Sequence, residues 1–353
     1  MEISQLWFRF VRFYIKIGMY FYTKKIRVVG KENIPKKGAV LFAVNHPNGL
    51  IDPLLVTTNN VRTSYFLVKA AAFKNPIIEK ILNSLNLIAI YRMRDGIDQL
   101  AKNEEVFNKC YNIFNKGQSL MIFPEGSDNR NRTVRTLSKG FTRIVFGAIE
   151  KHPDVKIQVV PVGVTYQNST QYPCKAAVHY GIPIDANEIY NDNTLAKSIH
   201  ILKQKVTERL KTLCVHLEND ENYQSNVSKL NKAQVDFTEV NTINSIIKSG
   251  VILPEKKAPI NYIRPLFYII ILNSSIPYLL WRIRLKYNTD KDFVDTLRFS
   301  TNIFLFPFFY VIQAVIVSQF YTWKIGIGYF FASLLLVFLY TKLSPTPTES
   351  HLE

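Results

Sequence analysis

The sequence predicts an α/β domain with a mixed or largely parallel sheet flanked by helices, with an N-terminal interfacial helix and C-terminal transmembrane helices. Between about residues 28 and 184, short apolar runs alternate with helical patterns, which is typical of an α/β sandwich. Aromatic and cationic residues share the first 27 positions, and long charge-free runs fill the last third. We expect an amphipathic helix over 1–27, a domain over 28–258 (core 30–184, helical extension 185–253), membrane-anchoring helices over 259–343 and a disordered tail over 344–353.

The N-terminal segment Gln5–Tyr22 is expected to lie at a membrane surface. Arg9, Arg12 and Lys16 recur at spacings of three and four, so they share one helical face. These charges interrupt the apolar run, which argues against a spanning helix and against a signal-peptide core. An interfacial helix with a basic face fits this pattern. The alternative is an ordinary amphipathic helix packed on its own domain.

The central region contains runs suited to strands and to helices. The predicted strands are Val28–Val29, Ala39–Val44, Tyr65–Val68, Leu87–Ile90, Leu120–Phe123, Ile157–Val164 and Ala176–His179. The predicted helices are Pro53–Thr58, Pro76–Leu85, Asp98–Asn115 and Ser138–Lys151, followed by helical segments at Thr194–Leu217 and Ala233–Ile252. In such sheets, sites form in the loops beyond the strand ends.

The loop after the second predicted strand carries a His and an Asp six residues apart. His46 directly follows the apolar run, and Pro47-Asn48-Gly49 is turn chemistry. Asp52 then opens an apolar stretch, as an N-cap opens a helix. Only a turn between the two residues can bring the carboxylate beneath the imidazole, where it would fix the tautomer and leave a general base. The alternative is a surface histidine and a simple cap.

Three further segments lie at or near the ends of predicted strands. The run 86–92 ends in Arg92, and Phe123-Pro-Glu-Gly126 places Glu125 at a turn-rich corner. Pro161 lies inside a strand-like run, which predicts an edge strand or a bulge. The alternative for each segment is that its residues simply form a turn. Together with the His46 loop, they fall in order on one α/β pattern.

Composition restricts the partners and the chemistry. The net charge is +17, which favours an anionic partner, and the aromatic, apolar C-terminal third favours lipid over nucleic acid. The three scattered cysteines form neither a disulfide framework nor a metal-binding spacing, and no paired histidine spacing indicates a metal. No Gly-x-Ser-x-Gly nucleophile elbow is present, so a serine hydrolase has little support.

Over roughly Gly30–Ile184 the chain resembles the glycerolipid acyltransferases, which include lysophosphatidate and glycerol-3-phosphate acyltransferases. The resemblance rests on Asn45-His46 with Asp52 and on Phe123-Pro-Glu-Gly126, with weaker matches at the strand ending in Arg92, at Lys139-Gly140 and at Val160-Pro-Val162. The family has four residues between His and Asp, whereas this chain has five. Asn86 replaces a usual Gly, and Ser127-Asp128-Asn129 replaces a usual Thr-Arg-Ser, with Arg130 slightly displaced.

The resemblance implies a membrane-bound acyltransferase that takes an acyl group from acyl-CoA or acyl-carrier protein, with no cofactor. It implies His46 as base with Asp52, while Arg92 would contact the acceptor phosphate and Glu125 and Gly126 would position the glycerol. Asn45 would orient the loop or donate to the oxyanion, and Pro161 would shape the acyl side; the remaining substrate-binding candidates are Arg130 and Lys139. Another lysolipid acceptor, or a non-catalytic lipid-binding scaffold, are the alternatives.

The C-terminal third carries three charge-free runs. Pro265–Trp281 has 17 residues but is interrupted by Asn273-Ser-Ser275, so it predicts either a span or an interfacial helix. Ile303–Phe320 and Ile325–Tyr340 have 18 and 16 residues, which predicts a transmembrane hairpin over 303–342. Cations between residues 282 and 298 place the connecting loop, and with it the domain, on the cytoplasmic side. We expect this third to anchor the protein and to do no chemistry; buried core helices are the alternative.

Overall fold

The computed structural model describes residues 3–91, 102–191, 193–287 and 294–348, without the side chains of residues 3–5. The strands are β1 Thr23–Val29, β2 Ala39–Val44, β3 Ser64–Lys69, β4 Leu87–Ile90, β5 Ser119–Ile122, β6 Ile157–Tyr166, β7 Cys174–Tyr180 and β8 Ile184–Asp185. The helices of the domain are α1 Ile3–Tyr22, α2 Ile51–Asn59, α3 Pro76–Ser84, α4 Asn103–Asn115, α5 Gly140–Lys151, α6 Ala186–Asn191, α7 Leu195–Leu213, α8 Tyr223–Lys232 and α9 Val240–Ser249. The C-terminal helices are α10 Arg264–Asn273, α11 Ser275–Lys286, α12 Val294–Phe320 and α13 Trp323–Leu343.

The strands form one mixed, mostly parallel sheet in the order β1-β7-β6-β2-β5-β3-β4, with β8 pairing beside β6. β2 is central and runs parallel to both of its neighbours, β5 and β6, whereas β6 meets β7 and β8 in antiparallel fashion. All six residues of β2 are buried, as expected of a strand covered on both faces. The predicted sheet class is confirmed, and the ends of β2 and β5 lie at one edge, where a site can form.

The sequence pattern predicts an edge strand or a bulge at Pro161. The structure shows neither. Pro161 lies in the centre of the sheet, where Ala43 of β2 is its register partner. On the other side, β8 pairs as far as Val159 and β7 pairs from Val162. The Pro161 carbonyl accepts from Gly181 N–H in the short link between those two strands. A proline is tolerated here because its missing N–H faces the break between two neighbouring strands.

The two faces of the sheet are covered by different helices. One apolar core packs α4, α5 and α7 on the face that includes Leu41 and Val159. The other core packs α1 and α2 on the opposite face, together with Phe299 and Ile303 from the first turns of α12. The start of the predicted membrane hairpin is therefore part of the core of the domain.

Helix α1 packs on the domain and on the C-terminal helices, and it also presents an apolar surface. Phe8, Met19 and Tyr22 are buried. On the outer side, large apolar side chains at helical spacing are exposed: Leu6, Phe10, Phe13, Ile17 and Tyr20. The three cations do not form one free face, since the Arg12 guanidinium donates to the Asn60 carbonyl while Arg9 and Lys16 are exposed. An interfacial position for α1 stays a prediction, now based on this apolar stripe.

The C-terminal helices agree with the predicted hairpin. Helices α12 and α13, of 27 and 21 residues, are long and apolar enough to cross a membrane. Helices α10 and α11 meet at 95°, so the run 265–281 is broken at Ser274, where the polar interruption lies. The tail was expected to be disordered from residue 344, but Ser344, Thr346 and Thr348 are buried, and Thr348 Oγ1 donates to the Asn231 carbonyl in α8. Residues 349–353 lie outside the described residues.

We expect the C-terminal helices to hold the protein in the membrane. The full chain should resist alkaline carbonate extraction, whereas a chain ending at Pro259 should be released, since it lacks both long apolar helices. Immunoblotting of pellet and supernatant measures this. Retention of the shortened chain in the pellet after carbonate treatment would show that another segment, such as α1, anchors the protein.

Candidate active site

The loop from Asn45 to Asp52 connects β2 to α2 at the edge of the sheet where the parallel strands end. The Asn45 side chain fixes the beginning of this loop on β6: Val164 N–H donates to its Oδ1 at 2.6 Å, and its Nδ2 donates to the Val164 carbonyl at 3.0 Å. With both ends of the amide engaged by backbone, the geometry favours the loop-orienting role of Asn45 over a role as oxyanion donor.

The turn brings the predicted pair together. His46 Nδ1 lies 2.8 Å from Asp52 Oδ2. Helix α2 begins at Ile51, two residues earlier than predicted, so Asp52 lies in its first turn and is not its N-cap. When Nδ1–H donates a hydrogen bond to Asp52, the Nε2 lone pair of His46 is available to take a proton from a bound hydroxyl.

Asp52 is fully buried and is held by three donors. Besides His46, the backbone N–H of Asn48 donates to Oδ2 at 2.7 Å, and the Tyr166 hydroxyl donates to Oδ1 at 2.7 Å. Burial, together with the Asp52 carboxylate, raises the pKa of Tyr166 well above its ordinary value, so its hydroxyl remains a donor. Nothing in the sequence signalled Tyr166, because its position opposite Asp52 depends on the pairing of β6 with β2.

The corner after β5 packs directly against His46. The imidazole stacks on the Phe123 ring, with centroids 4.2 Å apart and planes at 25°. The His46 carbonyl accepts from Asn129 N–H at 2.8 Å, and Gly126, with φ of 79°, allows the corner to turn. Two of the segments singled out in the sequence are therefore brought into contact.

Glu125 is held by an arginine that the sequence pattern did not single out. Its side chain is 3% exposed, and Arg135 Nε donates to its Oε2 at 2.8 Å. The same guanidinium donates to the Ser127 hydroxyl at 3.0 Å. Burial raises the pKa of Glu125, and the ion pair with Arg135 opposes that shift.

These groups line one polar depression beside His46. The segment 129–133 forms one wall, the end of β6 forms another, and Ser169, Cys214 and Val215 complete it. Arg130 lies in this lining, and its role as a substrate-binding residue stays a prediction. Arg132 also contributes, but its guanidinium is bound to the carbonyls of Tyr166 and Gln167 at 2.9 and 3.0 Å and stacks over Phe237.

The other predicted residues are placed differently. Arg92 lies outside the described residues, although β4 before it ends as predicted at Ile90. Lys139 is exposed just before α5 and is not in the lining of the depression. Pro161 is buried within β6 and is likewise absent from that lining. The structure therefore brings together Asn45, His46, Asp52, Glu125 and Arg130.

The first turn of α12 contacts the loop between His46 and Asp52, a contact that the sequence pattern did not indicate. Asp295 Oδ2 accepts from Asn48 Nδ2 at 2.9 Å, and its Oδ1 accepts from the Tyr22 hydroxyl and from Arg298. Leu50 N–H donates to Thr296 Oγ1 at 3.2 Å. Asn48 and Asp295 are both 4% exposed. The turn between His46 and Asp52 is therefore held in place by α12, whose Asp295 lies 247 positions after Asn48 in the sequence.

Other reactive groups give no competing chemistry. All three cysteines are buried, and burial raises the pKa of each thiol to about 12, which removes the thiolate a nucleophile needs. Within the described ranges, no cluster of three His, Cys, Asp or Glu side chains could hold a metal ion.

The comparisons with known proteins point to the same family. Residues 25–165 match the family model described as Acyltransferase. A 1-acyl-sn-glycerol-3-phosphate acyltransferase of Borreliella burgdorferi is 32% identical over 136 residues, covering 38% of this chain and 52% of that protein. Glycerol-3-phosphate O-acyltransferase 2 of Saccharomyces cerevisiae is 24% identical over 163 residues, covering 45% of this chain and 20% of that protein.

A crystal structure of the 1-acyl-sn-glycerophosphate acyltransferase from Thermotoga maritima is also similar, with a TM-score of 0.41 and 19% identity, covering 60% of this chain and 84% of that one. The chain spans only about half the length of the bacterial relative and less of the yeast one. The matched segment contains the His46 loop, the Phe123–Gly126 corner and most of the sheet. Residues 25–165 therefore match the Acyltransferase family model, and over this segment the chain is similar to glycerolipid acyltransferases.

Proposed function

We propose that this protein is a membrane-bound O-acyltransferase of phospholipid synthesis. It transfers a fatty acyl group from a thioester, acyl-CoA or acyl-carrier protein, to a glycerol-phosphate acceptor, with the domain facing the cytoplasm. The observation that carries this proposal is the 2.8 Å contact between His46 and a fully buried Asp52 in a polar depression beyond the ends of β2 and β5. The relatives named above, which act on 1-acyl-glycerol-3-phosphate and glycerol-3-phosphate, support the substrate class.

The chemistry follows from the position of the free imidazole nitrogen. His46 Nε2 takes the proton of the acceptor hydroxyl as its oxygen attacks the thioester carbonyl. The tetrahedral intermediate collapses by breaking the C–S bond, and the imidazolium returns its proton to the departing thiolate. The thioester is already activated, so no enzyme nucleophile is needed. Asp52 keeps the imidazole oriented and stabilises its cationic form. A general base positioned in this way contributes about 10²–10⁴-fold to the rate.

Product analysis tests this proposal. The purified full-length protein is given radiolabelled palmitoyl-CoA with lysophosphatidate, glycerol 3-phosphate, lysophosphatidylcholine or a lyso-amino-acid lipid in turn. We expect labelled phosphatidate or lysophosphatidate from the phosphorylated acceptors. A product from the amino-acid lipid alone would instead favour a role like that of a lyso-glycine lipid O-acyltransferase of Bacteroides thetaiotaomicron, which is 27% identical over 197 residues. No transfer from palmitoyl-CoA or palmitoyl-acyl-carrier protein would favour a lipid-binding scaffold.

Arg92 is proposed to bind the acceptor phosphate. Its planar guanidinium offers two parallel hydrogen bonds to a phosphate, whereas lysine keeps the charge and loses that geometry. We expect Arg92→Lys to lower kcat/KM for the phosphorylated acceptor by about tenfold, since a charge-assisted bond contributes about 1.5–3 kcal/mol. Steady-state kinetics with each substrate varied in turn measure this effect. The donor's KM is the internal control, and equal losses for donor and acceptor would rule out phosphate recognition.

A further inference from the structure

Outside the acyltransferase domain, α1 and the C-terminal helices enclose an apolar cavity of about 560 Å³. This volume is within the range of about 300–1,000 Å³ that is usual for ligand sites. All of its lining residues lie before residue 25 or after residue 165, so the segment that matches the family model contributes none of them. The cavity is an addition specific to the flanking parts of this chain.

The cavity is an elongated slot along α12. Residues at helical spacing line it on that helix, from Arg298 through Phe299, Ile303 and Phe306 to Tyr310. The twelve positions that separate Arg298 from Tyr310 correspond to a rise of about 18 Å along the helix. The facing walls come from α1, α10, α11 and α13, for example at Ile271 and Leu334. A long, narrow, apolar slot suits one extended hydrocarbon chain better than a compact ligand.

The lining of the slot is mostly apolar and includes a few polar groups. The Ser274 and Tyr310 hydroxyls bond to each other at 2.6 Å. Arg298, the one charged residue in the described lining, lies at one end, where it donates to the Thr170 carbonyl at 3.0 Å and to Asp295. Asn302 and Trp281 also line the slot, and their buried Oδ1 and Nε1 atoms have no hydrogen-bond partner among the described residues. Two of the walls are helices that could cross a membrane.

The charged end of the slot adjoins the catalytic depression. Thr170 lines the slot and its neighbour Ser169 lines the depression. Asn48 lies between the slot and the depression. Its Nδ2 donates to the Ser169 carbonyl at 3.3 Å and to Asp295 Oδ2 at 2.9 Å. One layer of side chains thus separates the apolar slot from the turn that carries His46.

We propose that this slot holds the acyl chain of a lipid acceptor, so that the protein acylates a lysophospholipid in preference to water-soluble glycerol 3-phosphate. This inference rests on the proposed function. A donor's chain begins at the reacting carbonyl itself and would have to cross the Asn48–Asp295 layer at once. An acceptor's chain is joined to the reacting hydroxyl through the glycerol backbone, which provides the reach to enter the slot beyond that layer.

Blocking the slot tests the assignment. The full-length protein is assayed with palmitoyl-CoA and three acceptors: palmitoyl lysophosphatidate, hexanoyl lysophosphatidate and glycerol 3-phosphate. The wild type should prefer the palmitoyl acceptor. Leu334→Trp should lower its preference for palmitoyl over hexanoyl acceptor by about tenfold, the scale on which a pocket distinguishes chain length. Activity on the hexanoyl acceptor shows that the variant is folded.

The neighbouring position provides a matched control. Leu335 is 52% exposed on the outer side of the same helix, so Leu335→Trp should leave acceptor preference unchanged. A second pair, Ile271→Trp against the 80% exposed Leu272→Trp, repeats the comparison on α10. The dependence of rate on donor chain length should be the same in all four variants. A shift in the donor profile, with the acceptor profile unchanged, would overturn the inference, as would equal use of glycerol 3-phosphate and palmitoyl lysophosphatidate by the wild type.

A binding measurement separates this inference from the proposed function. Lysophosphatidate carrying a diazirine at the end of its chain should photolabel peptides of α10 and α13 in the wild type, and labelling should fall in Leu334→Trp. This result would support the slot as a binding site for the acyl chain even if no acceptor is acylated. In that case the proposed function would be disproved, and the assignment of the binding site would remain. Equal labelling by a diazirine-tailed phosphatidylcholine would show bulk lipid contact and would overturn the assignment.

Discussion

Replacing His46 by alanine is expected to lower kcat by about 10²–10⁴-fold, the usual contribution of a positioned general base. The imidazole is stacked on Phe123 and bonded to Asp52, so its Nε2 is presented in a fixed direction to the depression. Alanine removes the proton acceptor and leaves the neighbouring backbone contacts in place. The effect should therefore appear in kcat, with a small change in the KM for either substrate.

Asp52→Asn should have an effect of similar size. Three donors converge on this carboxylate, from His46, Asn48 and Tyr166. An asparagine has one acceptor oxygen, so at least one of these donors would face an NH₂ group in a fully buried position. The imidazole would then lose its fixed tautomer. If the two residues act as one unit, the His46→Ala/Asp52→Asn double variant should be no worse than His46→Ala alone.

The measurement is single-turnover acyl transfer by protein purified in detergent, with circular dichroism to confirm folding. Two controls are matched to the dyad. His200→Ala removes an exposed histidine on α7 and should have no effect, and Tyr166→Phe removes one donor to Asp52 while preserving His46. Near-normal transfer by a folded His46→Ala protein would disprove the proposed mechanism, and additive losses in the double variant would disprove the coupling.

The second large effect is expected at a residue that belongs to the C-terminal helices. Asp295→Ala removes the carboxylate that holds Asn48 in the catalytic turn and that pairs with Arg298. Both partners of that pair are largely buried, with 5% and 14% of their side chains exposed. Breaking such a pair on one side typically costs about 3–5 kcal/mol, because the remaining charge stays buried without its counter-ion. A displaced turn should in addition lower kcat by up to about 10²-fold.

A double-mutant cycle distinguishes positioning from general damage. Asn48→Ala, Asp295→Ala and the double variant are compared in kcat, in KM and in unfolding by denaturant. If Asp295 acts on the dyad through Asn48, the two losses in kcat should be non-additive by about 0.5–3 kcal/mol. Asp236→Ala is the matched control, because it removes the ion pair with Lys175 at a distance from the turn. Additive losses in kcat would show that Asp295 does not act through Asn48. An unchanged kcat in a destabilised Asp295→Ala protein would show that Asp295 has a purely structural role.

The sequence by itself determined the local features of the site. The apolar run that becomes β2, the turn chemistry after it and the His–Asp spacing were sufficient to expect that Asp52 lies beneath His46. Hydrophobic periodicity was sufficient for the class of the sheet and for the two long C-terminal helices, because both signals are local and repeat along the chain. Chain order along the α/β pattern also brought Glu125 to the same edge as His46.

Only the tertiary structure decided which distant groups complete the site. Tyr166 lies 114 positions from Asp52, and Asp295 lies 247 positions from Asn48; neither contact leaves a spacing that can be read along the chain. Pro161 was expected at an edge, but strand order placed it at the break between β7 and β8, where its missing N–H needs no partner. The C-terminal helices were expected to be an anchor, and packing against α1 and the catalytic turn made them part of the site and of the slot beside it. These outcomes depend on which faces meet when the chain folds, and a one-dimensional pattern does not contain that information.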